Sequence, residues 1–266
     1  MVRVLILSDN KVVNLEPRGL KAEWGFSALI ETSEVVLFDT GQNNIAFENF
    51  MLLKCKNPSK LILSHGHYDH TGGLMQFLKN LEISEVYAHP DVFSVRYYRG
   101  RYIGIPFKRE QIESYAKIIE HKEPVEVVKD VWALGEIPRK YEAALLQDAY
   151  IMRGDKKEFD EIRDDQSIAI KTDKGLLLIL GCCHAGIRNT VEYAEEVVGD
   201  EVKFVIGGTH LIAFKEQKLK EIVDWLKKKV NMIAPCHCTG LENEFLLMKE
   251  FVNRFRMIGS GSVIEI

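Results

Sequence analysis

Short apolar runs broken by polar turns recur along the chain, and early on they alternate with helical periodicity. Residues 2–7 predict a strand ending at Ser8-Asp9-Asn10, and Pro17-Arg18-Gly19 predicts a turn. Residues 26–30 and 35–38 predict a hairpin closed through Thr32-Ser33-Glu34. A helix is expected over 45–53, a parallel strand over 61–63, a helix over 74–81 and a strand over 86–88. That order of strand, helix, strand, helix, strand predicts an α/β architecture with mixed sheets.

The pattern changes over residues 91–163, where a helix is expected over 110–120 and short strands over 125–128 and 131–134. Residues 139–163 mix helix formers with charge and carry no clear period. Regularity returns after Asp164-Asp165-Gln166, with a hairpin of 168–170 and 176–180 turning at Asp173-Lys174-Gly175. A helix over 187–198 and a strand over 204–206 follow. The next helix is one-sided, with Leu219, Ile222, Val223, Leu226 and Val230 on its apolar face. A strand at 232–234, a helix over 242–255 and a strand over 262–266 complete the chain.

The composition sets broad bounds. A chain of 266 residues can bury one large core, and 46% apolar with 28% charged residues is ordinary for a globular protein. A net charge of −4 gives no general case for nucleic acid or anionic membranes. No run approaches a membrane span, and Met1-Val2-Arg3 leads straight into a strand with no expected signal peptide. Five cysteines, with Cys182 and Cys183 adjacent and Cys236 and Cys238 close, suit reduced thiols better than a disulfide framework. A cytoplasmic protein is expected.

Chemistry concentrates where the apolar run 61–63 ends. Ser64-His65-Gly66-His67-Tyr68-Asp69-His70 places three imidazoles and a carboxylate within six residues, followed by Thr71-Gly72-Gly73. Imidazole suits zinc and iron, and carboxylate suits harder ions. The spacing of His65 and His67 lets both rings converge on one ion, with Asp69 and His70 turned to a neighbour. Three further histidines, His184, His210 and His237, also follow apolar runs and lie among small residues. Ligands collect at strand ends in α/β folds.

The His-x-His-x-Asp-His pattern with its Thr-Gly-Gly resembles the signature of the metallo-β-lactamase superfamily, as does Phe38-Asp39-Thr40-Gly41. Residues 1–260 resemble one branch, the 7,8-dihydropterin-6-methyl-4-(β-D-ribofuranosyl)aminobenzene-5'-phosphate synthase-like proteins. The marks of that branch are Gly25-Phe26-Ser27, Gly181-Cys182-Cys183-His184-Ala185-Gly186, Gly207-Gly208-Thr209-His210-Leu211 and Pro235-Cys236-His237-Cys238-Thr239-Gly240. The branch usually has histidine where this chain has Trp24, read here as a packed or gating aromatic.

The resemblance implies a single domain over 1–266, an αββα four-layer sandwich with two mixed sheets and a cap segment inserted at 91–163. It implies two divalent ions, with zinc favoured and iron(II), manganese(II) and nickel(II) compatible. His65, His67 and His184 would hold one ion, and Asp69, His70 and His237 the other. The aspartate that bridges the ions elsewhere in the superfamily is replaced by Cys182, which is either a thiolate ligand or a buried apolar cysteine. Asp39 either orients a ligand imidazole through its other ring N–H or acts as an ordinary turn residue. His210 is a catalytic or substrate-contacting group, a metal ligand, or a core hydrogen-bonding residue. A separate structural zinc on Cys236 and Cys238 with Cys182 and Cys183 is the alternative use of those thiols.

The one basic, aromatic-interleaved patch runs from Arg96 to Lys108 and includes Arg99 and Arg101. Guanidinium pairs bidentately with phosphate, so Arg96, Arg99, Arg101 and Lys108 are candidate substrate-binding residues. His89 is expected to be structural or substrate-facing, and His121 to lie on the surface. Together these features predict a hydrolase of a small phosphoester or cyclic phosphodiester, working through a metal-activated hydroxide with Asp69 and His210 as catalytic groups. The expected partner is a small anionic, aromatic or pterin-like phosphate, with no nucleic acid and no membrane. The alternatives are a pterin-forming synthase, a C–N or thioester hydrolase, a di-iron redox protein, and a metal-containing binding or sensor module without turnover.

Overall fold

Successive side chains of a strand face opposite sides of its sheet, and in Gly175–Leu180 both sides are buried. Leu177 and Ile179 join the cluster between the two large sheets. Leu176, Leu178 and Leu180 pack outward against helices. A strand covered on both faces needs an unbroken apolar run, and its sequence supplies one. A computed structural model describes residues 1–266.

One sheet has seven strands in the order Val263–Glu265, Arg3–Ser8, Ser27–Glu31, Val35–Phe38, Lys60–Ile62, Glu85–Ala88, Lys117–Glu120. Its first three pairings are antiparallel and its last three parallel. The other has six in the order Met232–Cys236, Val202–Gly208, Gly175–Leu180, Ser167–Thr172, Val131–Ala133, Val125–Val128. There the first two pairings are parallel and the rest antiparallel. Helices Ile45–Leu52, Leu74–Asn80 and Arg109–Glu113 bury residues on the outer face of the first sheet. Helices Ile187–Val198, Glu216–Lys229 and Leu241–Phe251 do so on the second. The result is a helix–sheet–sheet–helix sandwich, as the resemblance implies. No helix is long and apolar enough to cross a membrane.

Three expectations need correction. The helix expected over 110–120 stops at Glu113, and Lys117–Glu120 is a strand. Its two isoleucines serve opposite faces, Ile119 toward the inter-sheet core and Ile118 toward the outer one. The last helix ends at Phe251, because Val252 adopts a positive φ of 51° and begins a short 3-10 turn.

The segment 91–163 is also not one self-contained insertion. Its strands Lys117–Glu120, Val125–Val128 and Val131–Ala133 belong to the two large sheets. Only Val95–Tyr98, Arg101–Tyr102, Ala149–Arg153 and Lys156–Phe159 stand apart, as a small antiparallel sheet. Every residue of Lys156–Phe159 is exposed, so no alternation of burial marks that strand in the sequence.

Candidate metal centre

The polar cluster sits beyond the carboxyl ends of four strands. Lys60–Ile62 delivers His65 to His70, Gly175–Leu180 delivers Cys182 and His184, Val202–Gly208 delivers His210, and Met232–Cys236 delivers His237. Close packing between segments is made by glycines. A Cβ on Gly66 would collide with the Val92 carbonyl oxygen, and one on Gly181 would collide with the Ser64 side chain. The second contact brings the Cys182 loop against the histidine loop.

Around one side, His65 Nε2 lies 2.9 Å from His67 Nδ1, and His65 Nδ1 lies 2.9 Å from Ser64 Oγ. The His184 ring stands 5.1 Å from that of His65 and 5.2 Å from that of His67. Its Nδ1 lies 3.0 Å from the Ala144 carbonyl, which leaves Nε2 for the cluster.

On the other side, Asp39 is fully buried with φ of 56°. Its carboxylate accepts the Ser64 backbone N–H and hydroxyl, each at 2.7 Å, and lies 2.6 Å from His70 Nδ1. That fixes His70 Nε2 at 3.1 Å from Cys182 Sγ and 3.2 Å from His237 Nε2. Asp69 Oδ2 stands 3.5 Å from His237 Nε2 and accepts the Trp24 indole N–H at 3.0 Å. The Trp24 ring also lies 5.3 Å from the His237 ring.

Three donor sets follow, each with ligand atoms within 4.8 Å of one another: His65, Cys182 and His184; His70, Cys182 and His237; Cys182, His210 and Cys238. Burial, reinforced by neighbouring cationic groups, pushes the imidazoles of His65, His67, His184 and His237 well below their ordinary range. Burial thus favours the neutral form of each ring, the form that offers a lone pair. Burial acts the same way on His70, but the carboxylates of Asp39 and Asp69 outweigh it and raise that group to about 9. Burial pushes the Cys182 thiol well up.

The residues fit divalent metal. His67 Nε2, His184 Nε2 and His210 Nδ1 are buried without a protein partner, whereas nearly all buried polar atoms have one. Imidazole and thiol are the donors that zinc and iron take.

A cavity of about 210 Å³ opens on this cluster. Trp24, Tyr68, Tyr98, Ile103 and Leu146 form its aromatic and aliphatic wall, and no lysine or arginine lines it. Arg96 is not available to a substrate, contrary to expectation. It is fully buried, with Nη2 2.7 Å from Asp164 and Nε 3.6 Å from Asp160. Arg99 is exposed and pairs with Asp148 at 2.9 Å, and Arg101 and Lys108 are exposed as well. His89 is buried and structural, its Nδ1 accepting the Asp91 backbone N–H at 3.0 Å. His121, expected at the surface, is buried, with Nδ1 2.9 Å from the Glu123 carbonyl. Cys236 and Cys183 lie in different apolar clusters, so no four-thiol site forms.

Several supporting residues escaped the sequence reading. Asp164 accepts the Gly66 N–H at 2.8 Å, and Asp165 accepts the Ala185 N–H at 2.8 Å. Adjacent carboxylates thus hold the two histidine loops. Asp9 accepts the His237 N–H at 2.8 Å. The only sequence signal was acidic residues abutting buried strands, at Ser8-Asp9 and at Asp164-Asp165.

A family model described as the metallo-beta-lactamase superfamily matches residues 25–179, more than half of the chain. The chain belongs to the metallo-β-lactamase superfamily. Within that superfamily it is 41% identical over 231 residues to an uncharacterised protein of Methanocaldococcus jannaschii, covering 83% of this chain and 86% of that one. It is 32% identical over 266 residues to the 7,8-dihydropterin-6-methyl-4-(β-D-ribofuranosyl)-aminobenzene-5'-phosphate synthase of the same organism, covering 92% and 90%. Among solved structures it resembles Tm1679, described as a metal-dependent hydrolase of the beta-lactamase superfamily, with a TM-score of 0.89 and 28% identity over 100% and 99% of the two chains.

Proposed function

We propose that this superfamily member is a metal-dependent hydrolase of a small phosphoester or cyclic phosphodiester. The observation that carries the reading is two buried sets of imidazole donors with Cys182 common to both, beside one cavity that Cys182, His184 and His237 line. His65, His67 and His184 would hold one ion, and Asp69, His70 and His237 the other. Zinc is favoured by this histidine-rich set. Bound ions supply Lewis acidity and an activated water.

The chain's own groups do the rest. Trp24 fixes the Asp69 carboxylate through its indole N–H, so that Asp69 can accept a hydrogen bond from the attacking water. His210 lines the same cavity beside His184, with ring centres 4.3 Å apart, and donates a proton to the departing oxygen. The wall of Trp24, Tyr68, Tyr98, Ile103 and Leu146 takes the organic part of the substrate and keeps water from it. Tyr98 and Ile103 flank the hairpin that carries Arg101, so this exposed cation draws an anion toward the mouth without entering it. The likeness to a metal-dependent hydrolase supports this reading. The free state of all five cysteines fits a cytoplasmic site of action.

The test is a screen of the metal-loaded protein against aryl phosphomonoesters, cyclic phosphodiesters, thioesters and amides. Turnover confined to the phosphoesters supports the assignment, and turnover of only thioesters or amides overturns it.

A second reading has its own support in the 32% identity to the dihydropterin-aminobenzene-phosphate synthase across most of both chains. The aromatic wall suits a flat heterocycle. Supplying a dihydropterin with the ribofuranosyl-aminobenzene phosphate and finding a joined product would favour synthesis over hydrolysis.

A further inference from the structure

The resemblance to the superfamily implies a carboxylate shared by the two ions. Asp69, the carboxylate assigned to an ion above, stands on the His237 side at 3.5 Å and belongs to none of the three donor sets, whereas Cys182 belongs to all of them. Its sulfur lies 3.1 Å from His70 Nε2 and 3.4 Å from His237 Nε2, while the same atom is within 4.8 Å of the donors of His65 and His184.

The other thiols are placed differently. Cys183 Sγ faces the Thr190 hydroxyl at 3.4 Å in the outer core, and Cys236 is packed between the sheets. Cys55 sits at the edge of the other outer core. Cys238 shares only the set with His210, and its thiol donates to the Cys182 carbonyl at 3.4 Å. Gly181 makes the placement of Cys182 possible, because only a residue without a Cβ lets this turn close onto Ser64.

We propose that Cys182 is a thiolate ligand shared by the two ions, so that sulfur takes the bridging place of a carboxylate. This inference rests on the metal-centre reading above but not on the reaction assigned to it. Binding releases the thiol proton to solvent as the sulfur–metal bond forms; a dication removes such a proton even from a buried cysteine. A sulfur bridge also selects among ions. Thiolate favours zinc and iron(II) and disfavours manganese(II) and magnesium, which prefer oxygen.

The experiment is reconstitution with cobalt(II), reading bound cobalt per chain and the sulfur-to-cobalt charge-transfer absorption in the near ultraviolet. The variants are C182S, C182D, C236S and C238S, each with its circular dichroism recorded. The wild type, C236S and C238S are expected to bind cobalt and show the band. C182S is expected to lose the band and bind cobalt more weakly, and C182D to bind two ions without the band. A band that persists in C182S and disappears in C238S moves the sulfur ligand to Cys238 and overturns the proposal. Wild-type protein that binds two cobalt ions without any band overturns it too, while leaving the hydrolase reading standing. Wild-type protein that takes up no cobalt overturns both. If C182S fails to fold, C182D carries the comparison, since a retained band in that variant is equally fatal.

Discussion

The Arg96 ion pairs give the sharpest test of how the histidine loop is held. The guanidinium is fully buried between Asp164 at 2.7 Å and Asp160 at 3.6 Å, and it donates to the Asp91 carbonyl at 3.1 Å. Asp164 in turn accepts the N–H of Gly66, the residue between His65 and His67. In the variant R96M the aliphatic volume is roughly kept, but two buried carboxylates lose their counter-charge. Removing one partner of a buried pair costs about 3–5 kcal/mol, because the charge left behind has no water. At about 2–4 °C per kcal/mol for a domain of this size, Tm should fall by roughly 6–20 °C. Asp164 should also shift, so metal affinity should weaken together with stability. The assay is thermal unfolding by circular dichroism with and without added zinc, plus bound metal per chain. R99A is the control: that side chain is exposed on a surface pair with Asp148, so neither Tm nor KM should move. The refuting result is R96M that unfolds at the wild-type temperature and binds metal as tightly. The guanidinium would then be dispensable to the loop, and the chain Arg96–Asp164–Gly66 would have no mechanical meaning.

Other outcomes follow from the same geometry. H65A removes a donor of one imidazole set and should cut turnover by orders of magnitude while the apo protein stays folded; near wild-type turnover would sink the metal mechanism. D39N keeps the shape around Ser64 but gives up the carboxylate facing His70 Nδ1, so metal affinity should drop about 10–100-fold, read by competition with a chromogenic chelator. His121 is buried, and burial lowers it below its usual 6.5. The unfolded chain therefore binds the extra proton first as pH falls. Stability from the neutral ring is present above pH 6.5 and is lost as pH drops through 6.5 toward the folded value. Urea unfolding of the zinc-loaded protein should accordingly show a shallower loss between pH 7 and 5 in H121N than in wild type, and parallel pH profiles would refute the assignment.

The limits of the sequence reading have a common physical origin. Strands such as Gly175–Leu180 and helices such as Ile187–Val198 announce themselves because their apolar pattern is local. The donors are legible for the same reason, since His65, His67, Asp69 and His70 lie within six residues and the later histidines end apolar runs. What failed depends on long-range pairing. Arg96 looks like a phosphate reader among its neighbours Tyr97, Tyr98 and Arg99, yet its partners Asp160 and Asp164 lie more than sixty residues on. Val95–Tyr98 pairs with Ala149–Arg153, and from that segment the chain runs on to Asp160 and Asp164 beside the arginine. The same argument bears on substrate. Once Arg96 is occupied by structure and Arg99 by Asp148, no cation of the chain lines the cavity. An anionic group reaching the donors can then be neutralised only by the ions they hold, while the aromatic wall sees the rest of the molecule. Charge recognition and chemistry would thus fall on one set of atoms, and a substrate analogue lacking the anion should lose its affinity for the holo protein and keep it for the apo form.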